Sequence, residues 1–311
     1  MATLHKLPAT RATLHGHFAR EMAPVLTIDP GDSVRFQCLD AGWGLEPHNG
    51  YDNNRREFEG RVPGLDDGHA LTGPVAIRGA RPGMTLAVRI DAIQVGQWGT
   101  TKAGGWPNDW NDRLGVSREG VFHVWTFNHE AGTARNQHGH TVTLRPFMGV
   151  YGMPTADPGI QSTIPPRPTG GNIDCKELIV GSTLYLPIAV EGGLFSTGDG
   201  HGVQGDGEVS ITAIECPMER VDLTFDLRHD LPIPTPIANT PAGWITMGFH
   251  EDLDEALIIA LEAMLTLIQR LHGLKRQDAL ALASLTVDFR ITQVVNRVRG
   301  VHAVLPHGAI R

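Results

Sequence analysis

The chain has 311 residues, 26 Lys and Arg against 34 Asp and Glu, and a formal net charge of −8 at neutral pH. These charges form neither a basic stripe nor a charged tail, so a nucleic-acid partner is disfavoured. No run approaches the roughly 18 consecutive apolar residues of a membrane helix, so no membrane partner is expected.

The N-terminal MATLHKLPATRATLHGHF lacks an apolar run of signal-peptide type, and the 3 cysteines, Cys38, Cys175 and Cys216, form no CxxC pair, so a reduced, cytoplasmic chain is expected. The 37 Gly and 21 Pro argue for strands and turns rather than a helical protein. The length suggests two units, an N-terminal β-rich domain over 1–160 and a β-rich segment with a C-terminal helix–strand region over 161–311.

In chain order, VLTIDPGDSVRFQC (25–38) alternates on both sides of a DPGD turn and reads as a hairpin. The same grammar returns in VAIRGARPGMTLAVRIDAIQV (75–95) and, more loosely, in LIVGSTLYLPIAV (178–190), which suggests a sandwich or barrel. The stretch 96–139, rich in Trp, Gly and Asn, has no clear period and reads as an excursion over a surface or pocket mouth. Pro165, Pro166 and Pro168 make 152–172 a punctuated connection. In VDLTFDLR, Val221, Leu223, Phe225 and Leu227 point one way and Asp222, Thr224 and Asp226 the other, predicting one buried and one wet face. A helix starts near Asp252, with Glu255 completing a capping box, Gly273 as C-cap, and Leu253, Leu257, Leu261, Met264, Leu265 and Ile268 on one stripe. A shorter helix at 277–284 feeds a strand pattern at 285–296. The fold class is therefore mainly β, sandwich- or barrel-like, with C-terminal α/β elements, α+β overall.

The chemistry concentrates in FSTGDGHGVQGDGEV (195–209). Asp199 and His201 share a face at strand spacing, and Asp206 and Glu208 repeat the offset. Mixed carboxylate and imidazole ligands suit Zn²⁺ or another divalent ion, which acidifies water and polarises a carbonyl; Glu208 would then move protons. Asp-Gly pairs are also ordinary turns. In TGGNIDCKEL (169–178), Asn172 and Asp174 share a face, and Asp174 offers either a ligand from a neighbouring strand or an Asx turn. Cys175 has no base beside it and reads as a buried structural thiol. His17 reads as a surface or capping residue, and Asp40, just past a strand end, as either a turn or a site residue.

The stretches PGDSVRFQCLDA (30–41), LTGPVAIRGARPGMTLAVRIDAI (71–93), RPFMGVYG (145–152), the block from Gly170 to Val209, ITMGFHEDLDEA (245–256) and LTVDFRITQVVNRVRGVHAVLP (285–306) resemble the acetamidase/formamidase family over essentially the whole chain. The resemblance implies a predominantly β fold with added α/β structure, hydrolysis of small amides such as formamide and acetamide, a divalent metal that is zinc in some relatives, and a homo-oligomer, a dimer or multiple of it. Some relatives act on lactams. The family pattern matches Asn172, Asp174, Asp199, His201, Gln204, Asp206 and Glu208. It departs at His69, at Glu191-Gly192-Gly193 and in the insert carrying Trp98, Trp106 and Trp110, which bears on the substrate.

On chemical grounds Asp174, Asp199 and His201 are expected to hold the ion, Glu208 to act as base and His17 to assist the oxyanion, with Asp40 and His69 as further candidates for the base. Two alternatives stand beside this: a hydrolase of a larger, aromatic or cyclic amide whose pocket the extra tryptophans line, and a non-enzymatic β-rich protein that holds Ca²⁺ in GDGHGVQGDGE, for which carboxylates suit and a histidine does not.

Overall fold

The structure, a computed structural model, describes residues 2–48, 50 and 55–311. Strands β1 (Leu4–Leu7), β2 (Leu14–His15), β3 (Leu26–Ile28), β4 (Ser33–Cys38), β5 (Leu71–Ile77) and β6 (Thr85–Val95) come first. There follow β7 (Trp98–Gly104), α1 (Asp109–Leu114), β8 (Gly120–Asn128), β9 (Thr133–Asn136), β10 (Thr141–Thr143) and β11 (Phe147–Gly152). After them come β12 (Gly170–Asn172), β13 (Thr183–Pro187), β14 (Phe195–His201), β15 (Met218–Arg228), β16 (Ile237–Asn239) and β17 (Gly243–His250). The chain finishes with α2 (Leu253–His272), α3 (Arg276–Thr286), β18 (Asp288–Gln293) and β19 (Arg299–Pro306).

A nine-stranded sheet in the order β1-β4-β15-β6-β13-β16-β17-β19-β18 packs against a six-stranded one in the order β12-β11-β14-β5-β2, with β3 also on β5. Val34, Phe36, Leu86, Val221 and Phe225 of the first share one apolar core with Val75, Ile77, Met148, Tyr151 and Phe195 of the second. Phe195 bridges the two layers, its ring edge-on to Phe225 at 5.0 Å and to Phe36 at 6.3 Å. Burying each such ring is worth about 1.5–3 kcal/mol. The mainly β sandwich with C-terminal helices is thus the architecture expected, and strands from either side of residue 160 neighbour one another in both sheets.

Two expected hairpins are something else. β3 lies parallel to β5 in the six-stranded sheet, whereas β4 joins β1 and β15 in the nine-stranded one. β5 and β6 divide in the same way. The DPGD and RPGM turns are corners where the chain changes sheet: a turn signal reports reversal but not the partner beyond it. The 96–139 stretch is also more regular than expected. β7 to β10 form a four-stranded antiparallel sheet. Its faces are only partly covered, so little alternation shows in the sequence.

Helix α2 starts and stops where expected, with Asp252 Oδ1 accepting from Asp254 N at 2.8 Å and Glu255 N at 3.2 Å and Gly273 in the left-handed turn, but the capping box does not close, because Asp252 N–H goes to His250 Nδ1 at 3.0 Å. Its buried stripe is shifted, with Ala256, Ala260 and Ala263 beside Met264, Leu265 and Ile268, while Leu253, Leu257 and Leu261 are only partly covered. Small residues win there because the backbone of β17 runs so close to the helix. The outer face of β15 is not uniformly wet either, because Arg35 and Arg220 fold over Asp222 and bury it. No single helix among the described residues is long and apolar enough to cross a membrane.

Candidate active site

β14 sits inside the six-stranded sheet, and every one of its residues is buried. Gly200 lets it approach β15: a Cβ there would lie 2.6 Å from Met218 Cγ. At its end, His201 Nε2 stands 3.4 Å from Asp199 Oδ1 and 3.3 Å from Glu215 Oε2, and His201 Nδ1 faces Asp174 Oδ1 at 4.0 Å. Two overlapping triads result, Asp174–Asp199–His201 and His201–Glu208–Glu215, with the ligand atoms of each within 4.8 Å of one another. Asp174, Asp199 and Glu208 hold left-handed backbones with φ of 51°, 58° and 47°. For non-glycine residues such angles cost about 1–3 kcal/mol each and persist where the surroundings impose them. Gly149 forms the floor beneath, since a Cβ there would fall 2.4 Å from Asp199 Oδ2 and 2.5 Å from Asp174 Oδ1.

Asp174 is oriented from two sides. Asn296 Nδ2 donates to its Oδ2 at 2.5 Å, and Gln204 Nε2 donates to its backbone carbonyl at 2.8 Å. Among the described residues, its Oδ1, both ring nitrogens of His201 and Glu215 Oε2 are buried without a hydrogen-bond partner. Buried polar atoms are ordinarily satisfied, so this convergence of carboxylate and imidazole atoms fits a bound divalent cation and not a closed protein network. Burial, then the charge of Asp199, pushes Asp174 up to about 7. Burial, with Asp199 adding to it, pushes Glu215 up to about 7, and burial and then Asp174 raise Glu208 well above the carboxylate range. Burial alone would lower His201, but Glu215 and Asp199 hold it well above its ordinary value. Burial would likewise raise Asp199, but His201 and then His69 hold it below the usual carboxylate range. Too many carboxylates share too little positive charge.

The cluster opens into a cavity of about 380 Å³. Asn172, Asp199, Glu208, Glu215 and Asn296 line it, and so does His69, whose Nδ1 meets Thr163 Oγ1 at 3.0 Å. Asp40 also lines it, locked to Arg55 at 2.5 Å. His17 is absent from that lining; its Nδ1 donates to the Leu65 carbonyl at 2.9 Å. Asp206 lies outside both triads, exposed and paired with Lys176 at 3.1 Å. Trp106 and Trp110 border a neighbouring depression, while Trp43 and Phe122 face the main cavity. Cys175 is buried, its thiol pushed up to about 12 by that burial, as befits a structural cysteine.

Glu215 and Asn296 escape the sequence reading. Glu215 lies just beyond the stretch 195–209, and its partner Thr100 is far away on β7, with N–H···O bonds of 2.9 Å in both directions. Asn296 lies beyond the last β18 residue, with no motif around it to mark it.

The chain is similar to known proteins over most of its length. The profile of the Acetamidase/Formamidase family matches residues 3–158 and 153–308. A formamidase of Methylophilus methylotrophus is 26% identical over 249 residues, which is 63% of this chain and 60% of that protein, so the match spans less than two thirds of the relative. The crystal structure of a predicted acetamidase/formamidase from Thermoanaerobacter tengcongensis has a TM-score of 0.85 at 25% identity, covering 98% of this chain and 96% of that one. An acetamidase from Bacillus halodurans gives a TM-score of 0.83 at 27% identity, covering 97% of each chain.

Proposed function

The chain belongs to the acetamidase/formamidase family, and from that premise we propose that it is a metal-dependent hydrolase releasing ammonia from a carboxamide. The observation that carries this reading is the set of unpartnered acceptors around His201. Asp174, Asp199 and His201 would hold the ion, with Glu215 beside them; when bound, it supplies positive charge for the developing oxyanion and acidifies water. The histidine favours zinc over calcium.

Glu208, buried and raised, is the proton carrier. It takes a proton from the attacking water and returns it to the amide nitrogen, which leaves poorly unless protonated. His69 lines the cavity, whereas His17 is tied to Leu65, so we assign assistance at the oxyanion to His69. Asn296 and Gln204 position Asp174.

The test is ammonia release from formamide and acetamide by metal-replete protein, repeated after chelation. Release that chelator abolishes and zinc restores is expected; a metal-replete protein inert toward every amide and lactam would overturn the reading. The cavity volume favours a second reading, an amide larger than acetamide, whose four heavy atoms fill about as much space as four waters at ~30 Å³ each. We further propose a homo-oligomer located in the cytoplasm, with exposed Leu285, Val209 and Leu114 available for contacts between copies. Light scattering that returned only the 33.7 kDa monomer would remove that proposal.

A further inference from the structure

The wall of the cavity carries a charge that no carboxylate among the described residues answers. Arg55 is bound to Asp40 at 2.5 Å, and Arg61 to Glu57 at 3.0 Å while lying 5.3 Å from the Trp43 ring. Lys102 lines the same cavity and has no carboxylate partner among the described residues; its ammonium sits 5.8 Å from the centre of the Trp106 ring. His48, also in the wall, keeps a buried Nδ1 without a partner.

Lys102 stands in a fixed relation to the cluster. Thr100, two residues earlier on β7, exchanges backbone hydrogen bonds of 2.9 Å with Glu215, and Thr100 and Lys102 both face the cavity. Two strand residues advance the chain by about 7 Å. Lys102 itself is pinned by its backbone N–H donating to Thr212 Oγ1 at 3.0 Å. A substrate whose amide carbon lies at the cluster therefore shares its cavity with Lys102, two strand residues along from the Thr100 that brackets Glu215.

Resting on the amidase reading above, we propose that the site takes an amide with an anionic far end: the monoamide of a four- or five-carbon dicarboxylic acid, its free carboxylate held by Lys102. The aromatic walls of Trp43 and Phe122 cover the methylenes between the two ends. Acetamide would occupy only the inner end. Specificity then comes from a residue that takes no part in bond making. Hydrolysis consumes one water, breaks the C–N bond, and yields the dicarboxylate and ammonia.

The experiment compares kcat/KM for succinamate and glutaramate with kcat/KM for the neutral butyramide and pentanamide, using metal-replete protein. The anionic amides should be favoured by ~10-fold or more, as one charge-assisted contact allows, and the preference should shrink as salt rises. Lys102→Gln should collapse the preference through KM and not kcat, and Lys102→Arg should retain it. Equal wild-type rates for charged and neutral amides, or an equal loss on both in Lys102→Gln, would overturn the proposal.

Glutarate binding measured by calorimetry separates the two ideas. If no amide is turned over, the hydrolase reading fails. This proposal still stands if glutarate binds and Lys102→Gln weakens it ~10-fold. It falls if the two proteins bind glutarate alike or not at all.

Discussion

Asp222 and Asp174 are both buried aspartates in the same sandwich, and they have been driven in opposite directions. Asp222 accepts from Arg35 Nε at 2.8 Å and from Arg220 Nε at 2.8 Å, and the Arg35 hydrogen bond leads in holding its carboxyl down to about 2. Asp174 has one amide donor, Asn296, and faces further carboxylates; burial pushes it up to about 7. The first carboxylate is complete as it stands and holds β4 to β15. The second has no guanidinium or ammonium against it among the described residues, only the His201 imidazole at 4.0 Å, and its Oδ1 makes no hydrogen bond. Burial is common to both, so a carboxylate's role is read from the charge gathered around it.

The largest test of this contrast removes the shared imidazole. His201→Ala should lose stoichiometric metal and bring activity to background while circular dichroism stays native; full metal content by elemental analysis would mean that the ion sits elsewhere. Next comes Glu208→Gln, which keeps the size and a hydrogen-bonding group but cannot carry a proton. Its kcat should fall by ~10²–10⁴ with metal content intact. A variant that loses metal instead would place Glu208 among the ligands.

On the structural side, Asp222→Asn should cost about 1–3 kcal/mol in urea unfolding, because two guanidinium groups lose their ionic partner. Metal content and kcat per folded molecule should not change. The same pair sets a pH window. With the folded carboxyl depressed to about 2 and the unfolded one near ~3.9, the unfolded chain binds the proton more readily. Stability from this pair is present above about pH 4 and drains away as pH falls toward 2, so Asp222→Asn should flatten that limb of the acid profile. The smallest effect belongs to Asp226→Asn on the same strand: Asp226 is exposed, and its Oδ1 accepts from the neighbouring Leu227 N at 2.8 Å. Its stability should stay within about 0.5 kcal/mol of the parent.

What could be read in advance followed from local geometry. The Asp199–His201 offset, the alternation of β15 and both caps of α2 depend on residues a few positions apart, where period and hydrogen-bond reach suffice. Asp174 was readable as a candidate, either a ligand or an Asx-turn residue, because glycines and Asn172 mark that turn. Glu215 was not, because what makes it a site residue is its bridge to Thr100, across the whole insert. Asp206 shows the converse: it matches the spacing of Glu208, yet at the turn tip Lys176 and solvent claim it. The sheet changes after β3 and β5 were hidden for the same reason, since a corner and a hairpin use the same turn residues.

The hydrogen bond from Asn296 to Asp174 joins residues 122 positions apart. It also dates the site. As the chain leaves the ribosome, the segments that carry Asp174, Asp199 and His201 emerge first, and the amide that orients Asp174 is made about a hundred residues later. Gly207 waits as well, since its N–H reaches the Thr292 carbonyl at 3.1 Å. An ion met by the half-made chain would find ligands without their orientation. On the metal reading proposed above, capture of the ion follows synthesis of Asn296, and ordering of the segment after β18 is the event that commits it.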